Sequence, residues 1–222
     1  MKFEIRDRFT MEVIATQGAE NIKEALEILV KNGVSLRGAR LDGADLEGLD
    51  LRNAELGNAV LDGACLRLAN LSDANLSGAD MRDANLSGSL LTGADMINCR
   101  LRRTDFGGAN LSGTYLNFAD MRDTDLRMAN LSGAVLCMAD LRDADLRSAD
   151  LRDADLRNAR LNDANLSNAD LRSADLRDAD MRDADFRDAN LRAANLIGVD
   201  LRDANFRHLV YQSGAKLGED TK

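Results

Sequence analysis

The residues that could do chemistry in this 222-residue chain are few. There is one histidine, His208, three cysteines, Cys65, Cys99 and Cys137, and a large stock of Asp and Arg. Acyl transfer through a Ser-His or Cys-His pair needs a base beside a nucleophile; His208 stands near the C-terminus, far in sequence from Cys65, Cys99 and Cys137. The three cysteines are odd in number and widely spaced, which gives neither a disulfide framework nor a zinc cluster. Asp-rich repeats can hold calcium, but the nine-residue Gly-Gly frame of calcium β-rolls is missing and Arg residues flank the Asp residues. The glycines follow a fixed spacing rather than forming a phosphate-cradling loop, and no Thr ladder of an ice-ordering kind is present. A formal net charge of −9 without a basic tract speaks against direct nucleic-acid binding. The expectation is therefore a non-catalytic protein with no cofactor and no metal.

The spacing of these residues is more informative than their chemistry. From Leu36 to Phe206 every fifth residue is large and apolar: of 35 such positions 28 are Leu, with Met81, Met96, Met121, Met181 and Phe106, Phe186, Phe206 as the others. The residue two before each is Ala in 27 cases, and the exceptions include Ser89, Cys99, Thr104, Thr114 and Thr124. The residue between is Asp in 16 and Asn in nine, and the one after is Arg in 18. Gly recurs two after the large residue, as at Gly38, Gly43 and Gly48, where a turn needs a positive φ. Five matches neither the period of an ordinary strand nor that of a helix. Self-similar units that cannot bury an apolar side alone must stack, so the chain is a solenoid.

Runs such as Ala-Asp-Leu-Arg-Ser-Ala-Asp-Leu-Arg-Asp at 144–153 resemble the pentapeptide repeat proteins, over 34–209. The resemblance implies an all-β solenoid, a right-handed quadrilateral β-helix with four pentapeptides per coil. The 35 repeats then give about nine coils and a rod on the order of 42 Å at roughly 4.8 Å per strand spacing.

The ends read differently. Residues 1–33 predict a small α/β cap: Phe3, Ile5, Phe9, Met11 and Val13 share one parity in two short strands, and Ile22 to Val30 follow helical spacing. Asn21 with Glu24 suits a capping box, and Gly33 the residue past the helix end. The β-helix is expected over 34–211 and a flexible tail over 212–222. Larger residues at Phe206, Leu209 and Tyr211 suggest an open end through which two copies stack as a homodimer. No signal peptide and no apolar run of 18 residues is evident, so the expected location is cytoplasmic, without membrane contact. Asn-Leu-Ser recurs six times, at Asn70, Asn75, Asn85, Asn110, Asn130 and Asn165; it is a by-product of the repeat rather than a set of glycosylation acceptors.

With 20 residues per coil, outward side chains form columns. On the side of Leu41 an Arg column, Arg82, Arg102, Arg122 and Arg142, runs beside an Asp column containing Asp83, Asp123 and Asp143, so each relieves the other. On the side of Leu36 the outward positions hold Ile97, Tyr115, Phe118, Val135, Cys137 and Met138, with Tyr115 over Val135 and Phe118 over Met138. A contiguous apolar patch marks an interaction site more often than scattered residues do. The first functional reading is a protein-interaction scaffold whose partner, of unknown identity, docks on these six residues.

The alternative is a DNA-mimicking modulator of DNA gyrase or another topoisomerase, as the resemblance allows for relatives that protect gyrase from quinolones. Duplex DNA of about 42 Å carries about 25 charges at one per 1.7 Å, well above the net −9 of this chain.

Overall fold

The computed structural model describes residues 1–208 and the two-residue strand 216–217. Its organising feature is a parallel pairing of the residue before each large one with the residue 20 further on, from Arg40 with Val60 to Asp185 with Asn205. The amide of a large residue donates outward to the next coil, as Leu36 N–H does to the Glu55 carbonyl at 2.9 Å. In return Val60 N–H donates to the Ala39 carbonyl at 2.9 Å. Four pentapeptides thus return the chain to the same side, and we name the sides after Leu36, Leu41, Leu46 and Leu51.

Each edge is only about two residues long because a turn follows at once. Ala39 N–H closes onto the Leu36 carbonyl at 2.9 Å, and Gly38, the residue before it, has φ +71°. A positive φ at the third position of a four-residue turn marks the type II geometry. All 35 residues at this place in the repeat have positive φ, whether Gly, Asn, Asp or something larger.

The large and small residues stack into one continuous apolar column. Leu46 to Leu196 at the large positions are all buried, as are the Ala residues two before them apart from the half-buried Ala44. Phe186 and Phe206, one coil apart, stack with ring centres 5.4 Å apart and planes within 7°. The five small positions that carry a hydroxyl or thiol are satisfied inside the column. Thr104 donates its hydroxyl to the Met81 carbonyl at 2.8 Å, Ser89, Thr114 and Thr124 donate to carbonyls three residues back, and the Cys99 thiol lies 3.1 Å from the Leu76 carbonyl. Burial pushes that thiol up to about 12.

At the N-terminus β1 (Lys2–Arg6) pairs antiparallel with β2 (Val13–Gly18), and α1 (Ile22–Lys31) follows. Asn21 caps the helix by accepting from Glu24 N–H at 2.9 Å, while Glu24 reaches back to Glu20 N–H at 2.7 Å. Gly33, at φ +69°, ends it. Only part of the expected parity holds. Ile5 is buried, but Phe9, Met11 and Val13 are exposed. The cause is a bulge: Ile5 pairs with Ala15 and Arg6 with Val13, so Ile14 is the extra residue and the strand changes face there. Residues 6–8 lie along the first coil, with Arg40 N–H on the Arg6 carbonyl and Arg8 N–H on the Gly38 carbonyl, both at 2.9 Å.

At the other end β3 (Asn195–Leu196) pairs in parallel with β4 (Lys216–Leu217). The expected tail of 212–222 is therefore a strand at these two residues. Leu196 stands opposite Leu217, 21 residues on, where the regular step is 20.

Candidate functional site

The position before each large residue is where Asp and Asn concentrate, and the structure gives the reason. An Asx carboxyl or amide oxygen there accepts the backbone N–H two residues later, an Asx-turn that fixes the edge. Asn70 does so for Ser72 N–H at 3.1 Å and also takes the Ser72 hydroxyl at 2.7 Å. This lock is the use to which the Asn-Leu-Ser motif is put. Where the pair is Asp and Arg the lock is charged: Asp150 accepts Arg152 N–H at 3.1 Å, Nε at 2.8 Å and Nη2 at 2.6 Å.

Such forks recur along the rod, for instance at Asp120–Arg122, Asp140–Arg142, Asp155–Arg157 and Asp180–Arg182. The Arg hydrogen bond is the main cause that holds the Asp155 and Asp180 carboxyls down at about 2. The expected pairing of Arg with the Asp column beyond it is thus the minor arrangement, seen for Arg102 with Asp123 at 3.0 Å. The Asp before Arg wins because the same carboxylate already faces the Arg backbone.

Asn162 interrupts this code. It follows Arg160 instead of an Asp, donates Nδ2 to Asp180 at 2.6 Å, and leaves its buried Oδ1 without a partner among the described residues.

The six residues expected to form an apolar patch are brought together on the Leu36 side. Tyr115 pairs with Val135 in successive coils, and Phe118 N–H donates to the Cys137 carbonyl at 3.1 Å. Ile97, Tyr115, Phe118 and Met138 are 43%, 49%, 55% and 53% exposed. Val135 and Cys137 are partly buried. Burial and the neighbouring Asp155 carboxylate raise the Cys137 thiol pKa, which keeps it protonated and unreactive.

Phe118 and Met138 have φ +60° and +59°. Bulky residues rarely take this conformation, which costs roughly 1–2 kcal/mol each.

Sequence reasoning missed other exposed apolar residues. Leu68 and Met128 on the Leu46 side are 60% and 74% exposed, again at positive φ, and Leu90 on the Leu51 side is 44% exposed. Reading the sequence down 20-residue columns would have found them.

The proposed dimer end is only partly described. Phe206 is half-buried against the column, whereas Leu209 and Tyr211 lie outside the described residues. His208 is exposed at the last turn described. One group of potential metal ligands, Asp45, Glu47 and Cys65, has ligand atoms within 4.8 Å of one another. The Lys23 ammonium sits 2.9 Å from Asp45 and 3.1 Å from the Glu47 carbonyl, so a fixed cation is already there. Among the described residues no helix is long and apolar enough to cross a membrane.

Comparison with known proteins agrees with this geometry. The family model described as Pentapeptide repeats matches residues 32–67, 69–108, 99–136, 139–178 and 169–207. Among solved structures, HetL, a pentapeptide repeat protein involved in heterocyst differentiation regulation from the cyanobacterium Nostoc sp. strain PCC 7120, is 36% identical. That match covers 77% of this chain and 81% of HetL, with a TM-score of 0.38. A pentapeptide repeat protein of the Arabidopsis thaliana thylakoid lumen is 39% identical over 46% of this chain and 72% of its own, with a TM-score of 0.45. QnrB1, a plasmid-mediated fluoroquinolone resistance protein, is 19% identical over 71% of this chain and 85% of its own, with a TM-score of 0.35. A comparison with curated proteins gave no match.

Proposed function

The chain belongs to the pentapeptide repeat family, whose members fold as right-handed quadrilateral β-helices, and from that premise we propose that it is a non-catalytic protein-interaction scaffold. In this reading residues 34–211 form a rod of about nine coils at four repeats per coil. Residues 1–33 are its cap: the Arg6 carbonyl stands in for the coil that Arg40 N–H would otherwise meet, and Leu26 and Leu29 of α1 are buried on the column. A partner docks on Ile97, Tyr115, Phe118, Val135, Cys137 and Met138.

The observation that carries this reading is the pair Phe118 and Met138. Two large apolar side chains stand exposed in adjacent coils, on backbone that favours Gly or Asn, beside an exposed Tyr115. Strain and exposed apolar area held at one place are what a binding surface retains and a mere rod would lose. The DNA-mimic alternative has less support, because the forks place a guanidinium on most of the Asp residues that would have to imitate phosphates.

The test is affinity capture from a bacterial lysate with the wild-type chain and a Tyr115→Ser, Phe118→Ser variant. Docking on the patch predicts a protein retained at high salt and lost with the variant. Capture of gyrase that salt releases and the substitutions leave unchanged would replace this reading with the mimic.

A further inference from the structure

The apolar patch is one part of a larger uncharged area. On the adjoining Leu51 and Leu36 sides, residues 70–138 offer 24 outward positions, and only Asp73 and Asp95 are charged. On the Leu41 side at the same levels, residues 80–143, all twelve outward positions are charged. The uncharged area ends at the Asp50–Arg52 fork on one side and at the Asp150–Arg152 and Asp155–Arg157 forks on the other. The corner between the two sides is Asp73 and then Gly93, Gly113 and Gly133, so beyond Asp73 no side chain separates them. A charge-depleted area containing apolar residues, bounded by charge at both ends and along the Leu41 side, has the composition of a protein interface.

Neither charged residue carries the Arg fork that is common along the rod. An Asp before a large residue normally has Arg two positions on. Asp95 has Ile97, from which it receives only the backbone N–H at 3.0 Å. Neither Asp73 nor Asp95 makes an ion pair among the described residues. Both line one concavity with Ile97 and Tyr115. Asp73 leans into it over Gly93: a Cβ on residue 93 would stand 2.6 Å from Asp73 Oδ1.

We propose that the Leu51 and Leu36 sides at these levels are one docking surface, and that the partner is a protein presenting an Arg or Lys side chain to Asp73 and Asp95 against the Tyr115 ring. Two uncompensated carboxylates beside an aromatic face suit a guanidinium or ammonium, by charge and by cation–π contact. One buried cation within an otherwise neutral contact supplies register and specificity. This inference rests on the docking reading above and adds the partner's chemistry to it.

Its test is a selection of displayed random peptides on the immobilised full chain, followed by affinity measurements with the enriched peptides. The variants are Asp73→Asn with Asp95→Asn, and Tyr115→Ser with Phe118→Ser. Asn already occupies the equivalent places at Asn53, with φ +58°, and at Asn75, so the first variant keeps the fold, which thermal unfolding verifies. The expected peptides carry Arg or Lys at a fixed place among apolar residues, and lose roughly tenfold or more in affinity on the Asn variant. High salt should weaken them severalfold on the wild type without abolishing binding, and should leave binding to that variant unchanged. Peptides that need Tyr115 and Phe118 but lack a basic residue, or ignore the Asn variant, would overturn this inference and leave docking intact. Failure to enrich any peptide sensitive to the Tyr115 and Phe118 substitutions would overturn both. A dimer seen by sedimentation and lost on those substitutions would replace the basic partner by a second copy.

Discussion

Phe118 shows how one residue can work against the fold that carries it. Its φ of +60° suits Asn, which stands at the same place in the repeat at Asn58, Asn98 and Asn158. Phe118→Asn is therefore expected to raise stability by about 1 kcal/mol, read by chemical denaturation, while removing part of the binding surface. A drop in stability would mean that the ring is packed. Asp155 and Asp180 carry a second expectation. Their folded carboxyls lie at about 2, below the ordinary value near 3.9. A depressed folded pKa gives stability that is present above the unfolded pKa and lost as pH falls through the folded one. The melting temperature should hold from neutral pH to about 5 and fall between about 4 and 2, and Asp180→Asn should flatten that fall. At this scale the patch was legible because Tyr115 and Phe118 break the repeat in the written sequence. The charge-free area was not, since its residues are ordinary one by one and only their alignment in columns sets them apart.

The pentapeptide edge is held by a local lock and by stacking, and these separate cleanly. Arg152 adds an exposed fork to Asp150, so Arg152→Ala should cost no more than about 1 kcal/mol. Asp150→Ala removes the Asx-turn acceptor as well and should cost about 1–2 kcal/mol; equal effects of the two would contradict the turn role. Leu141 is 1% exposed inside the column. Leu141→Asp should cost about 4 kcal/mol or more, because it buries a charge with no partner, and unfolding should turn from one transition to several as the stack is split. The repeat itself was plain in the sequence, since a five-residue period leaves no competing reading. The hairpin was less so: alternation placed β1 correctly, but the extra residue Ile14 reversed the face of Val13, and no single residue type announces a bulge.

Across the whole molecule the backbone is nearly uniform and the surface is not. One side is fully charged over the levels at which two others are almost neutral, so its field orients an approaching partner, and neutralising charges on that side should change the rate of association more than the equilibrium affinity. Deleting residues 141–160, one coil, should leave a folded rod with the patch intact. Deleting residues 101–105 should also leave a folded rod, by circular dichroism, yet abolish partner binding.

The reason for that last difference lies in the step of 20 between paired residues. The interior reads residue number modulo five, and every fifth residue is interchangeable there. The exterior reads the same number modulo 20. A five-residue deletion is silent to the first rule and a quarter-turn rotation to the second: it carries Tyr115 away from Ile97 onto another side while every Leu still finds a Leu. In such a protein, lengthening or shortening the gene by fifteen bases rearranges the outer face without renegotiating the core, and recognition can change in jumps at almost no cost in folding.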